Sequence, residues 1–248
     1  MPDLRVLALA LALPAAVNAA CHDTRFDGAP YTVCDTSFGQ DDLRLWVTAP
    51  DGLPVGTFGR LADLLAAQGK HFGFAINAGM YAPDLRPLGL AIVDGQQIAP
   101  LVTGASKGNF GLLPNGVFCI GPDRYRIVET RHYAAAPPAC RYATQSGPML
   151  VIGGALHPRF LATSGSTYIR NGVGVSADGL HAAFAISGVP VTFDAFARFF
   201  RDGLKMPDAL FLDGNTSRLA APELNRADAG FPMGPILGTV VDGPAPAQ

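Results

Sequence analysis

Apolar and polar positions change period along the chain, and each period predicts a short element. Residues 43–48 alternate between apolar and polar, which is typical of a half-buried strand. Thr57 is a suitable N-cap for a helix whose leucines recur at helical spacing, and Gly69 is a suitable end for it. The apolar run 72–76 then predicts a buried strand that stops at Asn77.

The same order of elements recurs in the second half of the chain. The segment 192–202 starts with a capping threonine and carries three phenylalanines at i, i+3 and i+4, which predicts a helix with one apolar face. A buried strand is predicted at 209–212, followed by Asp213. Polar residues just beyond buried strands often line ligand crevices. We therefore expect two helix–strand units side by side that bring Asn77 and Asp213 together; coincidence within a mixed fold is the alternative.

Turn signals predict two hairpins and a series of further short strands. The Asp-Gly pair at 94–95 is centred in a predicted hairpin over 88–99, and a second pair at 178–179 joins two later strands. The Ala- and Pro-rich residues 134–138 predict a surface loop. These elements predict an α+β fold of mixed β-sheets with two main helices in a single domain. Further strands are predicted at 110–113, 117–120, 125–128, 149–152, 167–169, 172–176 and 181–187.

The composition excludes several classes of protein. Only 15% of the 248 residues are charged and 49% are hydrophobic, so disorder is not expected. Lys and Arg together number 18, and Asp and Glu 20, which gives a net charge of -2. A nucleic-acid partner is therefore not expected, because such partners require a basic surface.

The N-terminal segment has the pattern of an export signal. An apolar run at 6–13 is shorter than the roughly 20 residues that span a bilayer, and small residues follow it up to position 19. We predict a cleaved signal peptide at 1–19, a domain at 20–241 and a flexible tail at 242–248. The mature chain then has no stable membrane span, and its predicted location is periplasmic or secreted. A structural N-terminal helix is the alternative.

Four cysteines remain after this cleavage. An even number of cysteines in an exported chain indicates disulfides, and their spacing fits no zinc motif. Proximity in sequence favours the pairs Cys21–Cys34 and Cys119–Cys140. Buried free thiols are the alternative.

Five glycine-rich segments set polar residues within apolar surroundings. Each of them, taken singly, is a turn sequence, because glycine accepts positive φ and Asx side chains bond nearby amides. The segments are N-A-G-M-Y at 77–81, G-N-F-G-L-L-P-N-G-V-F at 108–118, Q-S-G-P-M-L at 145–150, R-N-G-V-G at 170–174 and L-D-G-N-T-S at 212–217.

Two of these segments carry a charged residue beside a predicted strand. Arg170 lies among apolar residues, and arginine is seldom buried without an anionic partner. An internal ion pair with Asp213 would satisfy both side chains without any function. A bound phosphate, received bidentately by Arg170 among Asn, Gln and glycine amides, is the functional alternative.

Taken in order, the five segments resemble the phosphodiester glycosidase family, and the resemblance runs over about residues 43–241. Bacterial members of that family include exported proteins. The family often has Asn-Gly-Gly-Phe where this chain has N-A-G-M at 77–80, and Asp-Gly-Gly-x-Ser where it has D-G-N-T-S at 213–217. The departures at Ala78 and Asn215 both lie in predicted site loops, and they bear on the substrate rather than on the fold.

The resemblance implies an exported hydrolase that cleaves a sugar-1-phosphodiester. In that reaction we expect Arg170 to neutralise the phosphate, and Asp213 to act in acid/base chemistry or to hold a divalent cation. No cofactor is implied with certainty, and that cation is the one candidate. Asn77 completes the predicted catalytic set, and amides around Gly147 and Gly214 are expected to receive phosphate oxygens.

The same segments supply the predicted contacts to the sugar. Tyr81 is expected to stack on the sugar ring, and Asn77, Asn109 and Gln145 are expected to orient its hydroxyls. The other residues predicted to bind substrate are Ser146, Asn171, Asn215 and Ser217.

Two alternatives keep these residues but not this chemistry. A non-catalytic envelope module that binds a glycan or phosphodiester polymer would retain Arg170 and the turns without using the Asp213 carboxylate. A structural Arg170–Asp213 pair would place the function elsewhere. The expected partner is therefore a sugar phosphodiester or an envelope glycan.

Overall fold

The computed structural model describes residues 20–104, 108–214 and 216–245. The predicted signal peptide at 1–19 and the predicted site residue Asn215 lie outside these ranges. The helices are α1 (Phe58–Ala66), α2 (Thr130–Ala135) and α3 (Phe193–Arg198), with a π-helical turn at Phe199–Gly203 and 3-10 turns at Asn109–Gly111 and Pro222–Leu224. The strands are β1 (Cys21–Phe26), β2 (Ala29–Ser37), β3 (Asp42–Trp46), β4 (Lys70–Asn77), β5 (Ala91–Val93), β6 (Gln96–Ala99), β7 (Gly116–Ile120), β8 (Tyr125–Glu129), β9 (Tyr142–Ser146), β10 (Met149–Ile152), β11 (Ala155–Leu156), β12 (Asn171–Val175), β13 (His181–Ser187), β14 (Asp208–Asp213), β15 (Leu219–Ala221), β16 (Arg226–Ala227) and β17 (Ile236–Asp242).

The strands form three sheets, and the α+β single-domain class is confirmed. The first sheet has the order β1-β2-β13-β12-β14-β10-β11, the second β16-β15-β4-β17-β3 and the third β6-β5-β9-β7-β8. Mixed sheets are predicted, but every pairing among the described strands is antiparallel. The reason is that tight turns join many neighbouring strands, and a tight turn reverses the chain.

The three sheets meet at one aromatic cluster. The ring of Phe184 on the first sheet lies 5.4 Å from that of Phe74 on the second and 5.7 Å from that of Phe118 on the third. All three rings are buried. Because side chains alternate across a strand, Ala183 and Ala185 face the opposite side, where the first sheet packs against α3.

Both predicted main helices form, and each is capped as predicted. The Thr57 hydroxyl accepts from the amide of Arg60 at 3.1 Å, and the Thr192 hydroxyl accepts from the amide of Ala195 at 3.1 Å. Gly69, just beyond α1, has a φ of 68°. The apolar face of α1 packs on the second sheet, and the phenylalanines after Thr192 pack on the first.

Local predictions fail where the local pattern is weak. Residues 110–113 are predicted as a strand, but a 3-10 turn occupies Asn109–Gly111. The predicted loop 134–138 overlaps the C-terminal end of α2. Glu129 caps the N-terminus of this helix, because its carboxylate accepts from two backbone amides. Strand β17 ends at Asp242, the residue where the tail is predicted to begin.

None of the helices in the described ranges is long and apolar enough to cross a membrane.

Both predicted disulfides are present. Cys21 and Cys34 are direct register partners in the β1–β2 hairpin, and Cys119 in β7 is linked to Cys140 just before β9. The alternative of buried free thiols is therefore wrong. Each disulfide closes a short segment of the chain, with sequence separations of 13 and 21 residues.

Removing the second disulfide, as Cys119→Ser with Cys140→Ser, is expected to lower the free energy of unfolding by about 3 kcal/mol, because the reduced unfolded chain gains loop entropy. Chemical denaturation measures this loss. Removing Cys21 and Cys34 instead should have nearly the same effect, because closure entropy grows slowly with loop length. An unchanged unfolding free energy in both double variants would contradict the prediction.

Candidate functional site

Three strand ends meet through one buried asparagine. Asn171, at the start of β12, donates from Nδ2 to the Asn77 carbonyl at 2.8 Å and to Asn77 Oδ1 at 3.1 Å. Its Oδ1 accepts from the backbone amide of Asp213 at 3.0 Å. Asn77 ends β4 and Asp213 ends β14, so one side chain joins the second sheet to the first.

This geometry confirms the predicted proximity of Asn77 and Asp213 but changes its origin. The two helix–strand units do not lie side by side in one sheet, because β4 belongs to the second sheet and β14 to the first. A shift of register between Asn171 and Gly172 pairs Asn171 directly with Asp213. Such a bulge re-aims side chains at a strand end.

A cleft of about 250 Å³ opens beside this junction. Asp213 lines it and is 6% exposed, so its carboxylate lies at the boundary between core and cleft. Tyr81 donates from its hydroxyl to Thr216 Oγ1 at 3.0 Å across the opening. Asn109 is exposed on the same wall. Among the described residues, the lining consists of Met80, Tyr81, Leu88, Asn109, Asp213 and Thr216.

The structure therefore brings Asp213, Tyr81 and Asn109 together as predicted. Sequence analysis misses Leu88, and it assigns no role to Met80 or Thr216. An apolar residue in a loop, such as Leu88 after a proline, carries no signal that distinguishes a cleft wall from an ordinary turn. Thr216 has one indirect signal, since it lies inside the L-D-G-N-T-S segment.

Asn77 and Asn171 do not reach the cleft. Both side chains are fully buried, and their amides bond each other and the backbone. Direct contact with a substrate, as predicted for both residues, is not available in this arrangement. Asn171 instead accepts from the Asp213 amide, and Asn77 bonds Asn171, so both residues support the Asp213 backbone.

Arg170 is fully buried, so the predicted bidentate contact with a phosphate is not available in this arrangement. Its Nε donates to the Val191 carbonyl at 2.9 Å and its Nη2 to the Ser166 carbonyl at 3.1 Å. The guanidinium carbon lies 3.6 Å from the centre of the Phe193 ring, as in a cation–π contact. Nη1 is buried and has no hydrogen-bond partner among the described residues. A Cβ built on Gly214 would lie 3.5 Å from that atom, so Nη1 points at the segment that follows Asp213.

The Arg170–Asp213 ion pair, the alternative without a function, does not form between these two described residues. Across the described ranges, no carboxylate oxygen lies within ion-pair distance of the Arg170 guanidinium. Burial lowers the pKa of Arg170 to about 10, which still leaves it charged at neutral pH. The site thus contains a buried cation that forms no ion pair with a carboxylate of the described residues.

Gln145 is predicted to orient sugar hydroxyls, but its amide is fully used inside the protein. Oε1 accepts from the amides of Leu90 and Val102, both at 3.0 Å. Nε2 donates to the Val102 carbonyl at 2.7 Å and to Thr130 Oγ1 at 3.1 Å. No donor or acceptor remains for a ligand, so the residue ties the segment around 90–102 to β9.

The remaining predicted contacts also hold the strands together. Ser146 donates to the Leu212 carbonyl at 2.8 Å, which fixes β9 against β14. Gly147 lies so close to Asn115 that a Cβ would collide with the Asn115 side chain. Ser217 Oγ lies 2.9 Å from the Asp213 carbonyl, and the Gly214 amide donates to Asp213 Oδ1 at 2.6 Å.

A larger cavity of about 580 Å³ lies between β3 and the third sheet, and none of the predicted site residues lines it. Its Asp42 is paired with Arg44, which lowers the pKa of that carboxyl. Burial raises the pKa of Tyr125 and of Tyr142 to about 12, so both phenols keep their protons at neutral pH. Asp41 lines this cavity as well as Asp42.

No group of three or more His, Cys, Asp or Glu side chains in the described ranges is arranged to hold a metal ion. Asp213 is therefore the single candidate ligand from the predicted set. A divalent cation at this carboxylate stays a prediction.

Comparison with solved structures shows the same fold in two proteins. The catalytic domain of zebrafish N-acetylglucosamine-1-phosphodiester alpha-N-acetylglucosaminidase, auto-inhibited by its pro-peptide, superposes with a TM-score of 0.60 at 14% identity. The match covers 90% of this chain and 82% of that one. A Burkholderia pseudomallei protein, named as an exported protein, has a TM-score of 0.55 at 11% identity over 86% of this chain and 74% of its own.

Sequence comparison extends this likeness. The uncharacterized protein YigE of Escherichia coli is 32% identical over 216 residues, which cover 87% of this chain and 83% of YigE. The sequence profile of the phosphodiester glycosidase family matches residues 71–230, a range that contains Asn77, Arg170 and Asp213. The chain therefore belongs to the phosphodiester glycosidase family.

Proposed function

We propose that this protein is an exported hydrolase that cleaves sugar-1-phosphodiesters in the cleft at Asp213. The observation that carries the proposal is the placement of the Asp213 carboxylate. On one side of the carboxylate is the cleft lined by Tyr81 and Asn109. On the other side the buried amides of Asn77 and Asn171, which we call the hub, fix the Asp213 backbone. Membership of the phosphodiester glycosidase family supports the hydrolase class.

Each wall of the cleft suits one part of such a substrate. Tyr81 offers an aromatic face for a sugar ring, and Asn109 offers an amide for its hydroxyls. Arg170 lies behind Gly214 as a cation that forms no ion pair among the described residues, and its field favours an anionic phosphodiester on that side. The field does not require direct contact, which is consistent with the burial of Arg170.

Asp213 is assigned the acid/base role because no other carboxylate lies in the described lining of the cleft. Most glycosidases use two carboxyl groups about 5–10 Å apart. A phosphate leaving group needs little protonation, so one carboxylate suffices to activate water. Where a divalent cation takes part, Asp213 is the residue that would hold it.

Export is the predicted setting of this activity. The two disulfides are typical of proteins that fold outside the cytoplasm. A protein of the same fold carries the name of an exported protein. We propose a periplasmic or secreted location, with an envelope sugar phosphodiester as substrate.

Turnover of a panel of sugar-1-phosphodiesters by the full chain, with and without a chelator, tests this function. Phosphate-ester cleavage on at least one sugar is the expected result. Loss of turnover with chelator, restored by a divalent cation, would place a metal in the mechanism. Absence of turnover on every sugar by the folded protein would contradict the proposal.

Asp213 is the single carboxylate among the described residues that line the cleft, which favours one second candidate, a non-catalytic module that binds an envelope glycan or phosphodiester polymer. Such a module would bind the panel without cleaving it. Calorimetric binding with no turnover would therefore select this alternative.

Arg170→Met is expected to lower turnover about tenfold or more, because it removes the positive field next to the phosphate. Its effect on stability should be small. The variant loses two hydrogen bonds to carbonyls but also the cost of burying a charge. The cost follows from the pKa of Arg170, which burial lowers to about 10 in the folded chain. At pH 7 the buried charge therefore lowers the free energy of unfolding, and this penalty falls only as the pH rises through about 10.

Arg170→Lys is the matched variant, since it keeps the charge but not the planar geometry. Turnover and the midpoint of chemical denaturation are measured for both variants. If Arg170→Met stayed folded and kept full turnover, the positive field would play no part in the reaction and the proposed role would be wrong.

A further inference from the structure

Three loops meet at one side of the cleft. The amide of Met233 donates to the Gly56 carbonyl at 2.8 Å. A Cβ built on Gly56 would lie 3.6 Å from Pro232 Cβ and 3.8 Å from Leu85 Cδ1. The loop before α1, the loop that contains Leu85 and the loop before β17 therefore form one continuous surface.

This surface borders the cleft itself. A Cβ built on Gly234 would lie 2.5 Å from Tyr81 Cβ, so the loop before β17 packs directly against the cleft aromatic. Leu88, three residues after Leu85, lines the cleft. A molecule bound at Tyr81 would thus meet these loops as it leaves the cleft.

Each of the three loops carries an exposed apolar side chain. Phe231 is 86% exposed, Leu53 57% and Leu88 43%. We refer to Leu53, Leu85, Leu88 and Phe231 as the apolar rim. Exposed apolar groups gathered beside a cleft indicate a binding surface, whereas isolated ones do not.

Of the charged residues named here around the apolar rim, Arg218 is the one that forms no ion pair with a described residue. Asp51 is paired with Arg60, and Asp84 with Arg86. Arg218 donates from Nη1 to the Phe231 carbonyl, and no carboxylate of the described residues forms an ion pair with it. An anionic group joined to an apolar chain matches this combination.

We infer that the substrate is amphiphilic: a sugar-1-phosphodiester whose second alcohol carries an aliphatic chain. The sugar occupies the cleft, the chain lies on the apolar rim, and Arg218, which bonds the Phe231 carbonyl, adds positive charge beside that rim. A saccharide in place of the chain would set hydroxyl groups against Leu53, Leu88 and Phe231. This inference rests on the proposed function, because it assigns the aglycone of the same reaction.

Two esters of one sugar-1-phosphate test the inference, an ethyl ester and a decyl ester used below its critical micelle concentration. Binding to the full chain is measured by calorimetry, and turnover is measured separately. We expect the decyl ester to bind about tenfold more tightly, because several of its methylenes leave water. Phe231→Ser should remove most of this preference and leave the ethyl ester unaffected.

Leu180→Ser is the matched control. Leu180 is 44% exposed, but it lies in the turn between β12 and β13, at the far end of those strands from Asn171. It should not change the binding of either ester. Equal affinity of the native chain for the two esters would overturn the inference, as would an equal loss in Leu180→Ser and Phe231→Ser.

The binding measurement separates the inference from the proposed function. Decyl preference that depends on Phe231, without turnover of either ester, would support the amphiphilic ligand and contradict the hydrolase. Turnover of both esters with equal binding would support the hydrolase and overturn the amphiphilic substrate.

Discussion

Asp213→Asn is expected to lower turnover of a sugar-1-phosphodiester by about 10²–10⁴-fold, the range typical of a lost acid/base group. The change removes the one carboxylate among the described residues that line the cleft. It preserves the size of the side chain and an oxygen that can accept from the Gly214 amide. The fold should therefore survive, and thermal unfolding checks this point.

Asp208→Asn provides the control on the same strand. Asp208 begins β14, and its Oδ1 accepts from the Gly153 amide at 2.9 Å. Its neutralisation should leave turnover within about twofold, because it lies at the opposite end of the strand from the cleft. Full turnover in Asp213→Asn would place the chemistry elsewhere, and equal losses in both variants would indicate a general effect of charge on the strand.

The second large effect is expected in stability. Asn171→Leu should lower the free energy of unfolding by about 3–5 kcal/mol, because leucine has a similar volume but satisfies none of the hub's hydrogen bonds. The substitution would remove the hydrogen bonds that Asn171 makes to the carbonyl of Asn77 and to the amide of Asp213, and both of these residues are buried. Chemical denaturation measures the loss, and turnover should fall with it since Asp213 loses its support.

Asn115→Leu is the comparison for this prediction. Asn115 is also fully buried, but it donates one hydrogen bond, to the Phe110 carbonyl, and its Oδ1 has no partner among the described residues. Its replacement should cost less than half as much. A smaller loss at Asn171 than at Asn115 would mean that the two sheets do not depend on the hub.

Elements fixed by neighbouring residues are predictable from the sequence. The Asp94-Gly95 turn forms as predicted, with φ values of 47° and 77°, because its conformation depends on those two residues alone. The same signal at Asp27-Gly28 joins β1 to β2, a hairpin that sequence analysis omits.

Properties that depend on distant residues are not predictable in this way. The sequence predicts that Asn77 and Asp213 converge, but their sheets are set by pairings with β15, β17, β10 and β12. Likewise, nothing next to Gln145 indicates that Leu90, Val102 and Thr130 will use its whole amide. Residue type identifies candidates for a site, whereas burial decides which of them can touch a ligand.

The burial pattern divides the predicted site into two layers. Tyr81, Asn109 and Asp213 face the cleft, whereas Asn77, Asn171 and Gln145 support it from within. The layers explain how a set of segments can identify a family while only part of the set lines the cleft. The departure at Ala78 falls in the inner layer, since Ala78 is fully buried and its carbonyl accepts from Thr144.

A crystal structure of the Asp213→Asn chain with an uncleaved sugar-1-phosphodiester tests the central claim most directly. The account predicts a sugar against Tyr81 and Asn109, with the phosphate on the side of Gly214. A ligand bound instead in the 580 Å³ cavity between β3 and the third sheet would contradict it.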